Sequence, residues 1–64
     1  MCESKVILIE GGKKKVVMEA AAVIHVEGKR ATITDITGHE VQLDDVAVKE
    51  MNLMRHEISF ARCR

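Results

Sequence analysis

The sequence predicts an all-β fold: a small SH3-like antiparallel barrel or strongly bent sheet of about five to seven short strands, forming a homodimer. Three observations predict it. Apolar and polar residues alternate in short runs, glycine-bearing turns separate the runs, and no stretch sustains the period of a long helix. The 64 residues are read as one domain, 1–64. A domain of that size buries only about 60% of the surface its unfolded chain exposes, so its core needs a supplement.

Residues 5–9 (Lys-Val-Ile-Leu-Ile) are β-branched or apolar on both alternating faces. That suits a strand with one face in a core and the other against a partner. Gly11-Gly12 ends the run, and Val16-Val17-Met18 beyond it completes a hairpin, with Lys13, Lys14 and Lys15 at or just after the tip. Glu19-Ala20-Ala21-Ala22 has helical propensity but is too short for an independent helix, so a single turn or bend is expected there.

Residues 23–27 alternate, with Ile24 and Val26 on one face and His25 and Glu27 on the other. Gly28-Lys29 turns the chain into a second hairpin strand over 31–36, and Thr37-Gly38-His39 turns it again before a strand over 40–43. Asp44-Asp45 suits the cap of a short helix through Met51, but the surrounding β rhythm favours a brief turn and then a strand over about 48–53. Met54-Arg55-His56 makes the last turn, and residues 57–61 close the fold with Ile58 and Phe60 on one face. A barrel this small has room for side chains only.

Hydrophobic residues make up 47% of the chain, yet Phe60 is the only aromatic and there is no Pro, so the core must be aliphatic. Ten Lys/Arg balance ten Asp/Glu, and a formal charge of zero excludes a global field for nucleic acid or acidic lipid. No signal peptide is legible and no run approaches the ~20 apolar residues of a membrane span. A cytoplasmic location without membrane contact is expected, where thiols stay reduced. Two cysteines, Cys2 and Cys63, form at most one bridge and no disulfide framework, which leaves oligomerisation or a metal as the supplement.

Cys2 is the candidate metal ligand. Without Met1, its amine and thiolate form a five-membered chelate; with Met1, the terminal amine, the Cys2 amide and the thiolate can converge on one ion. Nitrogen and sulfur donors of this kind suit Ni(II) or Cu(II) better than Zn(II), which takes four tetrahedral side-chain ligands. One such arm donates too few ligands for a closed site. A two-fold dimer that brings two Cys2 residues together completes the set and also supplements the small core.

The opening Met-Cys-Glu-Ser-Lys-Val-Ile-Leu, the Thr-Asp-Ile-Thr-Gly-His-Glu of 34–40 and the Glu-Met-Asn-Leu-Met-Arg-His-Glu-Ile of 50–58 resemble the CooT family of small nickel-binding proteins. The resemblance implies a homodimeric SH3-like β-fold that binds Ni(II) through Cys2 and serves nickel insertion into a client such as carbon monoxide dehydrogenase. Relatives are also labelled predicted RNA-binding proteins. Only Cys2 carries over as a ligand by position.

The other reactive residues have plainer readings. His25, His39 and His56 stand near turns or on polar faces as ordinary surface histidines, with His39 the first to test as a further ligand. Antiparallel pairing of the first and last strands would set Cys63 opposite Cys2, against the alternative of an unpaired thiol in a frayed tail. Lys13, Lys14 and Lys15 read as a solvated tip that discourages edge aggregation. The alternative function is a small RNA-binding β-barrel using that tip, although zero net charge and a single aromatic weigh against nucleic acid. Three of the four methionines fall in or beside apolar strands and read as core filler rather than soft-metal ligands. No nucleophile with a base, phosphate loop or paired-acid motif is present, so the chain is read as a non-enzyme.

Overall fold

The structure, a computed structural model, describes residues 3–63. Six strands form one sheet: β1 (Ser4–Glu10), β2 (Lys13–Glu27), β3 (Arg30–Asp35), β4 (Glu40–Asp44), β5 (Val46–Asn52) and β6 (Glu57–Arg62). Their spatial order is β4-β3-β2-β1-β6-β5. The all-β expectation is met, but the sheet is mixed rather than antiparallel, because β1 and β6 run parallel. Nor is it closed into a barrel, since β4 and β5 remain its edges.

The Gly11-Gly12 turn forms as expected. Both glycines have positive φ, 58° and 80°, the backbone that a two-residue hairpin turn needs and that side chains resist. It joins β1 to β2, with Glu10 paired to Lys13.

The expected turn at 19–22 is corrected. β2 runs through it as one strand of 15 residues. Four helix-favouring residues cannot repay helix nucleation, whereas an extended chain there is tied to both neighbouring strands at Ala21. The bend survives as register shifts on either side of Ala21, which pairs with Ser4 of β1 and with Asp35 of β3. Extra residues of this kind bend and twist a strand.

The curl of the sheet follows from one connection. If the six strands lay flat, β4 and β5 would stand about 24 Å apart, from five spacings of about 4.8 Å. Yet β4 ends at Asp44 and β5 begins at Val46, with only Asp45 between them, at φ 56°. The sheet must therefore curl until its two edges meet at that corner. The Val46 amide donates to the Lys29 carbonyl at 2.9 Å, and the Cys63 amide to the Asp45 carbonyl at 2.6 Å, fixing the corner from both sides. Thus β5 begins earlier than expected, and the helix alternative is not adopted.

Curling buries one face. Val6, Leu8, Met18 and Phe60 fill it from one half of the sheet, and Ala31, Ile33 and Leu43 from the other. Among the described residues the methionine expectation holds only for Met18. Met51 is 60% and Met54 92% exposed, because Met51 lies on edge strand β5 and Met54 in the β5–β6 turn.

Candidate metal centre

Met1 and Cys2, the expected ligand among them, lie outside the described residues. The described chain fixes what surrounds the start of β1. On one side Ser4 pairs with Ala21, and Ala21 in turn pairs with Asp35. On the other, the Lys5 amide donates to the carbonyl of His56 at 2.8 Å. The β5–β6 turn is therefore the immediate neighbour of the start of β1.

The three histidines lie in different parts of the sheet. His39 is held in the β3–β4 turn, where its carbonyl accepts from the Asp35 amide at 2.9 Å, so Asp35 and Ala21 separate it from Ser4 in the ladder. His25 pairs with Thr32 on the far half of β2 and lies 3.9 Å from Glu27. All three are exposed, but only His56 adjoins β1. Among the described residues no three His, Cys, Asp or Glu side chains converge.

The expected approach of Cys63 to the chain start is overturned within the protomer. Parallel pairing sets Lys5 beside Glu57 and Ile9 beside Ala61, so Cys63 follows the Glu10 end of β1 rather than the Ser4 end. The reason is topological. β6 returns antiparallel to β5 and enters beside the start of β1, with strands β2 to β5 serving as the long crossover that parallel pairing requires. Cys63 is a partly buried free thiol.

The two-sided character of β1 is present in the fold. Val6 and Leu8 are buried in the curl, while Ile7 and Ile9 are half-buried on the outer face beside the exposed Val16. Lys14 borders this strip on one side, and Lys49, Glu50 and Glu57 on the other. Lys13, Lys14 and Lys15 are exposed at the start of β2, but Glu10 lies beside them and also takes the Arg62 guanidinium at 3.3 Å, so the patch is not uniformly basic.

The β3–β4 turn is organised by one carboxylate. Asp35 Oδ1 accepts from the Thr37 hydroxyl at 2.6 Å, the Thr37 amide at 2.9 Å and the His39 amide at 3.0 Å. The Thr37 hydroxyl bond, ahead of the amide bonds, holds the Asp35 carboxyl below the ordinary carboxylate range. A lowered folded value means that the stabilisation is complete above the unfolded pKa, about 4, and is lost as pH falls through the folded value. Asp35→Asn should therefore melt below the parent at pH 7, and the gap should narrow on acidification to about pH 2.5. Melting curves by circular dichroism check this; a gap that stays constant would show that the ionised carboxylate does not hold the turn.

Fold and surface together define a small open-sheet β protein. Comparison with known proteins makes the family particular. Residues 1–60 match the family model of the CO dehydrogenase accessory protein CooT, and the chain belongs to that family. A crystal structure of a protein assigned as CooT from Carboxydothermus hydrogenoformans superposes with a TM-score of 0.84 at 19% identity, covering 98% of this chain and 100% of that one. At that identity the likeness shows a shared fold. No curated protein matches. The family resemblance read from the sequence is correct, and the family is described as a CO dehydrogenase accessory protein.

Proposed function

We propose that this protein is a cytoplasmic nickel-binding accessory protein, a carrier that delivers Ni(II) during maturation of a nickel enzyme such as carbon monoxide dehydrogenase, with Cys2 of two protomers sharing one site. The observation that carries this reading is family membership over residues 1–60, a span that includes Cys2. The ion is cargo, and the donor set fits it. A Cys2 thiolate and backbone nitrogen are the sulfur and nitrogen ligands that Ni(II) accepts, and the thiol gives up its proton on binding.

A second protomer completes the set. The strip of Ile7, Ile9 and Val16 supports self-association, because it leaves apolar surface on the outer face of β1. An exposed site at such an interface can release its ion to a client by ligand exchange.

Titration of Ni(II) into the reduced protein and into Cys2→Ser tests the reading. The parent should bind about one ion per two chains, and the variant should lose at least about a hundredfold in affinity. Equal binding by the two proteins, or none by either, refutes it. A stable monomer in sedimentation refutes the shared geometry.

A further inference from the structure

We propose that Met51, Met54 and His56 form a site for a soft monovalent cation of the Cu(I) type on the β5–β6 hairpin, a site independent of the nickel reading. The first ground is exposure. Methionine is among the residue types most often fully buried, and the aliphatic core has room for one, as Met18 shows. Yet Met51 is 60% and Met54 92% exposed, so core packing accounts for neither sulfur.

The second ground is placement. Asn52 pairs with Glu57 and closes the hairpin, leaving Leu53, Met54, Arg55 and His56 as its turn. Met51 pairs with Ile58, so His56 stands two positions along from the partner of Met51, the diagonal offset of about 7–8 Å that long side chains span. Met54 lies in the same turn, two residues before His56. The backbone beneath is held at two points. Asn52 Oδ1 accepts from the Arg55 amide at 3.1 Å, and the His56 carbonyl accepts from the Lys5 amide at 2.8 Å. All three side chains are exposed, so closing on one ion asks for side-chain rotation rather than movement of the backbone.

The third ground is chemistry. Thioether sulfur is a soft, neutral donor that selects Cu(I), and imidazole also suits copper. Two thioethers and one imidazole therefore favour a soft monovalent ion over Mg(II) or Ca(II), which take oxygen ligands. Leu53, between the two methionines, is 75% exposed, so an apolar contact with another protein is the rival use of this turn. Exchange of Met for Leu separates the two uses, because leucine keeps the apolar volume and removes the sulfur.

The test titrates Ag(I), an air-stable soft monovalent ion, into the full chain carrying Cys2→Ser and Cys63→Ser, which removes competing thiolates. NMR follows the methionine methyl groups and the histidine ring protons. The Met51 and Met54 methyl signals and the His56 ring signals should move together and saturate at one ion per chain, while buried Met18 and the rings of His25 and His39 stay in place. Met51→Leu, Met54→Leu and His56→Asn, each added to that chain, should each bind Ag(I) about tenfold or more weakly. The two leucine variants should melt as their parent does, since both positions are exposed. No response, responses of the two methyl groups at different ion concentrations, or undiminished affinity in the leucine variants overturns the site, the last of these leaving the turn as an apolar surface. Movement of the Met18 signal also overturns it, because the ion would then be acting by opening the core. None of these outcomes bears on Ni(II) binding by the protein with its cysteines intact.

Discussion

Phe60→Ala should destabilise the protein by about 3–5 kcal/mol, the usual effect of deleting a buried aromatic ring. Phe60 is fully buried on β6, with Leu8 of β1 and Val48 of β5 as its cross-strand neighbours. It is also the only aromatic residue, so no neighbouring ring can shift to refill the space. Domains carry only about 5–15 kcal/mol in total, and one this small sits toward the low end. Urea unfolding followed by circular dichroism, at one fixed protein concentration, measures the loss. A shift of under about 1 kcal/mol would mean that the curled face is not a packed core.

Ile33→Ala makes the complementary test in the other half of the sheet, with an expected loss of about 2–5 kcal/mol. Ile33 is fully buried on β3, between Ile24 of β2 and Val41 of β4. Because both halves feed one core, the variant should unfold in a single transition with the parent's denaturant slope. A separate early transition would show that β3 and β4 melt on their own and that the corner at Asp45 holds the halves together only weakly.

Local signals in the sequence were reliable where the cause was local. Glycine turns at 11–12 and 28 marked the hairpins, and the alternation of residues 5–9 marked a strand used on both faces, because each depends on a few neighbouring dihedral angles. The alanine run at 19–22 misled, since its helical propensity is weak beside two ladders of hydrogen bonds. Nothing local distinguishes parallel from antiparallel pairing of β1 with β6. The placement of Cys63 at the far end of β1, and of His56 beside its start, both depended on that pairing. Met51 and Met54 had apolar neighbours in sequence but lie at an edge strand and a turn, and sequence spacing does not say which strand is the edge.

The parallel β1–β6 ladder has a consequence for how the molecule assembles. Strands β1 to β4 form a meander of successive hairpins and β5–β6 a separate hairpin, each able to form from contacts close along the chain. The ladder between them joins segments about fifty residues apart, and its loop-closure cost falls before any reward from pairing. Folding is therefore paced by the docking of two preformed pieces. Until they dock, the long side of β1 that will receive β6 is an open edge in a nascent chain, and the strand that seals it is made after all of β1 to β5.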